Sequence, residues 1–292
     1  MTMLKRIALV AMVINYVGAF IPGTPVWFQW IGRLSAPLFF YAMAWSMDRT
    51  RDRKRYLMGL YLCSVLMALA NLGLSFAASK LGFSTVVTNN MFATLFAGAF
   101  FIWVLEYGRE YPKKRLKLWL IYGGWQVVFA LAWAALYELV EVPYELLNLL
   151  SAVCGSAFIC EGAFFYVLMG VLFYYTKEDR KRLTIWYVVL WLVFFVNAAF
   201  GVWGKLFMLI GSDVLVVFME IISGLVLWGA SYRPMFDLMH MLYSDFQWMM
   251  IGALPLLLLC NGERGRGRKY FYYVIYPGVV YFFWFLGVVV LG

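Results

Sequence analysis

Unbroken apolar runs of about 20 residues make up most of this sequence, and an α-helix needs that length to cross the hydrocarbon core of a bilayer. Ten such segments can be drawn: 3–21, 27–47, 56–79, 90–107, 117–137, 152–175, 184–203, 206–230, 246–260 and 270–291. Polar and apolar residues do not alternate along them, as they would in barrel strands. The sequence therefore predicts an all-α polytopic integral membrane protein, a single bundle of about 9–10 transmembrane helices. One domain is expected over residues 1–292.

Composition excludes a water-soluble domain. The chain is 65% hydrophobic and 13% charged, whereas soluble domains are about a quarter charged. The formal net charge of +9 is concentrated in short connectors and is not spread along one face, so it indicates membrane topology and not nucleic-acid binding. The first expected partner is the lipid bilayer.

Basic connectors alternate with connectors that contain almost no Lys or Arg. Basic residues cluster at 49–55, 109–117 and 177–182, whereas the connector 138–148 carries three glutamates. Positively charged connectors tend to remain on the cytoplasmic side of a membrane. We therefore expect a multi-pass protein whose amino terminus and three basic connectors are cytoplasmic.

This alternation fails near the end of the sequence. Residues 261–269, NGERGRGRK, are again basic, and ten strictly alternating spans would place them outside. We expect this segment to be cytoplasmic. Either the short segment 246–260, which contains Pro255, does not cross in the ordinary way, or residues 206–245 fold differently from the simple drawing.

The cysteines give no sign of a metal site. Cys63, Cys154, Cys160 and Cys260 lie inside or at the ends of apolar segments, and they form no C-x-x-C motif or Cys/His cluster. A buried thiol of this kind behaves as a small hydrophobic side chain. We therefore expect neither a metal nor a disulfide.

Polar side chains within the apolar segments are candidate functional residues, because they are costly to place in lipid. Arg33 lies near the start of the second segment, and Glu161 and Glu220 lie within the sixth and the eighth. Each glutamate should face the interior of the bundle and find a polar partner there. Interhelical hydrogen bonds are expected from the amides Asn71, Asn89, Asn90, Gln126 and Asn197. Two interpretations remain open for the charged residues: interhelical contacts alone, or the pathway of a small transporter.

Several stretches of the chain resemble the TraX family, membrane proteins named for an enzyme that acetylates the amino terminus of conjugative pilin. The stretches are LKRIALVAMVINYVGAF at 4–20, GRLSAPLFFYAMAWSMDRTRDRKRYL at 32–57, NNMFATLFAGAFFIWVLE at 89–106 and FQWMMIGALPLLLLCNGERGRGRKYFYYVIYP at 246–277. They follow one another in the order typical of the family. The region 109–245 is similar only in character.

The resemblance implies a membrane acyltransferase that takes its acyl group from acetyl-CoA. TraX proteins look related to a wider group in which a basic residue of the first helix is followed eleven positions later by histidine. Lys5 occupies the basic position here, and Tyr16 occupies that of the histidine. The family usually has Asp-His in place of Asn15 and Tyr16, and its acidic residue in the second helix looks replaced by Trp45. The histidine that usually follows the terminal Tyr-Pro looks replaced near Val279.

Each replacement removes a group that accepts or relays a proton, because a phenol with a pKa near 10 is a poor general base at neutral pH. The candidate catalytic residues are Asn15, Tyr16 and Arg33, with Tyr16 as a hydrogen-bond donor to a developing oxyanion. The resemblance implies that the phosphates of CoA contact basic residues at the cytoplasmic side. These candidate CoA-binding residues are Lys5, Arg6, Arg264, Arg266 and Lys269.

The resemblance therefore implies a protein of the bacterial cytoplasmic (inner) membrane that acetylates a peptide amine or a surface-polymer group. One alternative is a non-catalytic binding or assembly protein that keeps the same fold after losing its proton-transfer groups. The other is a small transporter that uses Arg33, Glu161 and Glu220.

Overall fold

The computed structural model describes residues 2–83, 87–200, 238–260, 262–263 and 271–291. Within these ranges the regular structure is helical, which confirms the predicted class, an all-α polytopic membrane protein. Among the described residues, six helices are long and apolar enough to cross a membrane: Thr2–Phe20, Arg53–Lys80, Met91–Glu110, Pro112–Glu138, Arg180–Phe200 and Phe271–Val290. The helices thus indicate a multi-pass membrane protein in a lipid bilayer.

The elements follow one another along the chain as α1 (Thr2–Phe20), α2 (Trp27–Gly32), α3 (Ser35–Arg49), α4 (Arg53–Lys80), α5 (Met91–Glu110), α6 (Pro112–Glu138), α7 (Tyr144–Cys154), α8 (Ala163–Thr176) and α9 (Arg180–Phe200). The described chain resumes at Leu238. From there the elements are α10 (Leu238–Tyr243), a 3-10 helix (Gln247–Ala253), α11 (Leu254–Leu259), α12 (Phe271–Trp284) and a π-helical end (Phe285–Val290).

Two of the predicted segments are interrupted, so drawing each of them as one continuous helix was wrong. Segment 27–47 is divided between α2 and α3 at Arg33 and Leu34, and segment 152–175 has no helix between α7 and α8. Gly155 ends α7 in the left-handed conformation, with φ +63°, as is common at helix ends. Hydropathy does not reveal this second break, because the residues within it are themselves mostly apolar. The predicted segment 206–230, with Glu220, lies outside the described residues.

The chain forms two compact units, one of residues 1–45 with 175–292 and the other of residues 46–174. The single domain expected over 1–292 stays a prediction. In the first unit, α1 and α2 pack as an antiparallel hairpin. A Cβ at Gly18 would lie 2.7 Å from Cβ of Phe28, and Gln29 Nε2 donates to the Gly18 carbonyl at 3.0 Å. Such close backbone approach at small residues is how membrane helices commonly associate.

The helix α12 runs parallel to α1 in the same unit. At one edge, Lys5 Nζ lies 5.8 Å from the centre of the Tyr272 ring. Near the other end of α1, a Cβ at Gly287 would overlap the carbonyl of Phe20. The start of α12 therefore lies at the same edge of the unit as the amino terminus.

The predicted segment 246–260 is a short passage along α9. It consists of a 3-10 helix of 7 residues and an α-helix of 6 residues, which together extend about 23 Å, less than the roughly 30 Å hydrocarbon core. Tyr187 Oη donates to the Met250 carbonyl at 2.6 Å, and Trp191 Nε1 donates to the Trp248 carbonyl at 2.7 Å. Side chains of α9 thus satisfy carbonyls of this irregular segment.

The second unit contains α4 to α7 and most of α8. One part of its interior is apolar and is formed by Ala97, Phe101, Ala157 and Val167. Another part is polar, because α4 buries Ser64, Asn71 and Ser75, whose spacing of seven and four residues places them on one face of the helix. Polar groups on this face must find their hydrogen-bond partners within the protein, because lipid offers none.

Candidate functional site

Tyr16 is buried in the first unit, between α1 and α12. Only 4% of its surface is exposed, and its ring stacks on Phe20 with a centroid distance of 5.9 Å. Tyr16 Oη donates to Tyr276 Oη across 3.5 Å, which is longer than a strong O–H···O hydrogen bond. Tyr16 therefore faces protein and lies beside a second phenol.

Asn15 points in a different direction from Tyr16. Successive residues of an α-helix are about 100° apart around the axis, and the Asn15 side chain lies against α2, where a Cβ at Gly32 would overlap it. Tyr16 instead contacts α12. The two residues predicted to share a reaction centre are therefore not directed at a common point.

Lys5 and Tyr16 lie on the same face of α1. Eleven residues correspond to about three helical turns and about 16 Å along the axis. Both side chains contact α12, Lys5 through the ring of Tyr272 at 5.8 Å and Tyr16 through Tyr276. The spacing noted in the sequence thus places a cation at one edge of the unit and a buried phenol deeper on the same helical face.

Of the other predicted CoA-binding residues, the structure describes Arg6. Arg6 is exposed next to Lys5. Arg264, Arg266 and Lys269 lie outside the described residues. Of the five candidates, the structure therefore locates Lys5 and Arg6 at the amino-terminal edge of the first unit.

Trp45 stands where the resemblance predicts an acidic residue, and its ring lies close to a cation. Lys177 Nζ is 5.7 Å from the ring centre, and Tyr41 Oη donates to the Lys177 carbonyl at 3.3 Å. Gly262, with φ +73°, packs on the six-membered ring of the indole, where a Cβ would lie 2.6 Å from the ring. An aromatic ring stabilises a nearby ammonium group, but it does not accept a proton as a carboxylate does.

Arg33 lies in the break between α2 and α3. Its guanidinium carbon is 4.8 Å from the centre of the Phe246 ring. The Nε atom is buried and has no hydrogen-bond partner within the described chain. The neighbouring Gly32 packs on Asn15, and the catalytic role of Arg33 stays a prediction.

Glu161 belongs to a polar cluster in the second unit. Its Oε1 accepts a hydrogen bond from Asn89 Nδ2 at 3.2 Å, and its Oε2 accepts one from the Asn90 backbone N–H at 3.1 Å. The predicted polar partners of Glu161 are thus confirmed. Asn89 and Asn90 were foreseen as hydrogen-bonding amides, but nothing in the sequence pairs them with a residue about 70 positions later, so only the fold reveals the cluster.

The same cluster is attached to α4 by further amide contacts. Asn71 Nδ2 donates to the Asn89 carbonyl at 3.0 Å, and Asn90 Nδ2 donates to the Ser64 carbonyl at 2.9 Å. Asn90 also caps α5, because its Oδ1 accepts the N–H of Ala93 at 3.2 Å. Ser64 and Asn71 lie on either side of the middle of the 28-residue helix α4, so the cluster is at mid-height of a membrane-spanning helix.

The interrupted segment 155–162 is held by side chains from two neighbouring helices. Gln126 of α6 donates to the Gly155 carbonyl at 3.2 Å and accepts the N–H of Ala157 at 2.8 Å. Thr94 Oγ1 of α5 donates to the Glu161 carbonyl at 2.8 Å. Irregular backbone at membrane depth requires partners of this kind, because lipid offers none.

Comparison of the chain with protein-family models, with curated proteins and with solved structures finds no match. Among the described residues, no group of three or more His, Cys, Asp or Glu side chains is arranged to hold a metal ion. The class defined by the fold is a multi-pass helical membrane protein with two buried polar regions, one around Tyr16 and the other around Glu161.

Proposed function

We propose that the chain is a TraX-like membrane acyltransferase that transfers an acetyl group from acetyl-CoA to an amine or hydroxyl of a peptide or surface polymer. The observation that carries this proposal is the placement of Lys5 and Tyr16 on one face of α1, with both side chains against α12. The sequence resemblance supplies the reaction class, and the geometry supplies a cation and a phenol in the expected order from the membrane edge.

The distance along α1 suits a thioester donor. Lys5, at the edge, would pair with a phosphate of CoA, and Tyr16 lies about 16 Å deeper along the helix. CoA carries its thioester at the end of a long extended arm, so one donor molecule can contact both levels. Arg6 and the basic residues 264–269 would add to the positive charge at this edge.

In the reaction, the acceptor amine or hydroxyl attacks the thioester carbonyl. A tetrahedral oxyanion forms, the C–S bond breaks, and CoA leaves as the thiol with the proton lost by the acceptor. Tyr16 would donate its phenolic hydrogen to the oxyanion, since hydrogen-bond donors preset at the site of developing charge are the main source of such catalysis. An amine acceptor that arrives in its neutral form needs no strong base, which fits a site with two phenols in place of imidazole.

The proposal includes a location and an orientation. The protein would lie in the bacterial cytoplasmic membrane with its amino terminus in the cytoplasm, where acetyl-CoA is available. Its basic connectors support this orientation through the positive-inside rule. Cysteine-accessibility mapping of single-cysteine variants in the basic connectors 49–55 and 177–182 would test it, with both connectors expected to be protected from impermeant reagents in intact cells.

The activity is tested with purified protein in nanodiscs, acetyl-CoA and a panel of amine, peptide and sugar acceptors. Release of free CoA that depends on an acceptor is the expected result. A member of the family that carries Asp-His serves as the positive control in the same assay. No turnover by this chain alongside an active control would contradict the acyltransferase proposal and favour a non-catalytic binding or assembly protein. In that case Asn15→Asp with Tyr16→His should restore turnover if the remaining site is intact.

A second candidate function is solute or ion transport, which is favoured by the break between α7 and α8. Discontinuous helices with an acidic side chain at mid-height are typical of transporter binding sites, and Glu161 occupies such a break. Flux into liposomes that is abolished by Glu161→Gln but retained in Glu106→Gln would support this function. The absence of flux into protein-containing liposomes for a broad panel of ions and solutes would contradict it.

A further inference from the structure

Arg33 of the first unit carries a positive charge, and its buried Nε–H has no acceptor among the described residues. Its guanidinium group lies in the break between two helices of an apolar segment, 4.8 Å above the Phe246 ring. The Nε–H is buried without an acceptor, and Arg33 makes no ion pair within the described ranges, although Asp245 precedes Phe246 in the chain. The side chain as a whole is only partly buried.

The aromatic contact alone does not compensate for this environment. A cation over the face of an aromatic ring is stabilised modestly, whereas a buried charged donor without an acceptor loses its hydration without replacement. An arginine within a membrane segment is usually paired or lines a functional region. The described residues therefore do not supply the missing acceptor.

The position of Arg33 limits what that acceptor can be. Gly32 packs on Asn15, which lies five residues, or about 7.5 Å, before the end of α1. This end of α1 is opposite the edge where Lys5 contacts Tyr272. The Arg33 backbone thus lies about 7.5 Å or more from this end of α1, a depth from which a long arginine side chain can extend to the phosphates at the membrane surface.

We propose that Arg33 anchors a binding site for a phosphate group at this edge of the membrane. A guanidinium offers a planar pair of N–H donors that matches two phosphate oxygens. The two Nη groups would form such a pair, since Nε itself is buried, and the guanidinium carbon lies 4.8 Å from the centre of the Phe246 ring. The phosphate belongs either to a phospholipid headgroup or to a free phosphate ion, and both bind through the same oxyanion chemistry.

Binding is measured as a rise in the melting temperature of the full-length protein, because a ligand that binds only the folded state stabilises it. The protein is purified in a maltoside detergent without phosphate buffer. Phosphatidylglycerol and inorganic phosphate are titrated separately. A rise with phosphatidylglycerol alone assigns the site to a lipid headgroup, and a rise with inorganic phosphate assigns it to a free phosphate.

Three variants decide whether Arg33 is responsible. Arg33→Gln should weaken the apparent affinity about tenfold to a hundredfold, the loss expected for charge-assisted hydrogen bonds. Arg33→Lys keeps the charge and removes the planar fork, so it should fold and bind with an intermediate affinity. Arg51→Gln removes an arginine from an exposed connector and should respond as the wild type does.

Three results would overturn the proposal. One is the absence of any stabilisation of the wild type by either titrant. Another is a wild-type response in both Arg33 variants. The third is an equal loss of response in Arg51→Gln, which would mean that general charge attraction and not a specific site is responsible. The assay measures binding alone, so its outcome is independent of acyl transfer.

Discussion

The side chain of Asn15 lies against the backbone of Gly32, so closely that a Cβ at position 32 would overlap the amide. This contact fixes α1 against α2 at the depth where the sequence has its polar pair. It also explains why Asn15 is directed away from Tyr16, which contacts α12 on another face of the same helix. Asn15 therefore has a packing role in the α1–α2 hairpin.

Gly32→Ala should destabilise the protein. The added methyl group would collide with the Asn15 side chain, and inserting a methyl group into a well-packed contact typically costs about 1–3 kcal/mol. Thermal unfolding in detergent measures the change, and a lower melting temperature is expected. Asn15→Ala combined with Gly32→Ala should recover most of the loss, because it removes the group that the methyl meets.

Gly73→Ala is the matched control for this experiment. Gly73 lies in the helix α4, and a Cβ there would meet no atom within 4 Å. Replacing an exposed helical glycine by alanine should leave stability unchanged or raise it by up to about 1 kcal/mol. Equal melting temperatures for Gly32→Ala and the wild type would show that α1 and α2 are not packed this closely.

Glu161→Gln should also reduce stability. The amide group of glutamine places an NH₂ where one carboxylate oxygen now accepts from Asn89 or from the Asn90 N–H. One buried donor then loses its acceptor, which costs about 1–3 kcal/mol. The free energy of unfolding by denaturant measures this, and Glu161→Ala should be at least as destabilising.

Glu106→Gln is the comparison for Glu161→Gln. Glu106 pairs with Arg109 at 3.3 Å at a partly exposed position one helical turn away, and such pairs contribute about 0.3–0.5 kcal/mol. The same change of functional group should therefore have a much smaller effect at position 106. Similar losses at the two positions would contradict the assignment of Glu161 as the centre of a buried polar cluster.

The sequence predicted the ordinary helices closely because their apolar runs continue without interruption. The first segment was expected at 3–21 and forms Thr2–Phe20, and the fifth was expected at 117–137 and lies within Pro112–Glu138. The segment 152–175 failed because hydropathy measures only the preference for lipid. Its interruption depends on Gly155 and on acceptors and donors supplied by Gln126 and Thr94, which are distant in sequence.

The candidate sites were predicted less completely than the helices. Helical periodicity accounts for the placement of Lys5 and Tyr16 on one face of α1, since eleven residues return to nearly the same face. The contact of Asn15 with Gly32 could not be foreseen, because it depends on how closely two helices approach. The pairing of Glu161 with Asn89 likewise requires knowledge of which segments are neighbours, and single-sequence patterns do not contain it.

Gln126→Ala should loosen the interrupted segment 155–162. The change removes the acceptor of the Ala157 N–H and the donor to the Gly155 carbonyl, and lipid cannot replace either. Local opening is measured as the rate at which Cys160 reacts with a maleimide in a variant whose other three cysteines are replaced. A faster reaction than in the parent protein is expected.

Gln29→Ala serves as the control for the labelling experiment. It removes one hydrogen bond to the Gly18 carbonyl at 3.0 Å in the first unit and should leave the reaction rate of Cys160 unchanged. If both variants accelerate labelling equally, general destabilisation accounts for the effect. If neither does, Gln126 is not needed to hold the segment.

Tyr16→Phe should separate the structural role of the Tyr16 hydroxyl from its proposed catalytic one. The 3.5 Å contact with Tyr276 Oη is long, so its loss should cost no more than about 0.5–1 kcal/mol of stability. Loss of an oxyanion donor instead lowers kcat by about a hundredfold to a thousandfold. Acceptor-dependent release of CoA and thermal unfolding are therefore measured on the same preparation.

Tyr276→Phe distinguishes a donor to the reacting carbonyl from a neighbour of that donor. Tyr276 accepts the hydrogen bond from Tyr16, so its removal should change kcat less than tenfold if Tyr16 alone contacts the oxyanion. Tyr243→Phe, at an exposed tyrosine, should have no effect. Equal losses of kcat in Tyr16→Phe and Tyr276→Phe would assign the two phenols to one shared function. An unchanged kcat in Tyr16→Phe would remove Tyr16 from the reaction.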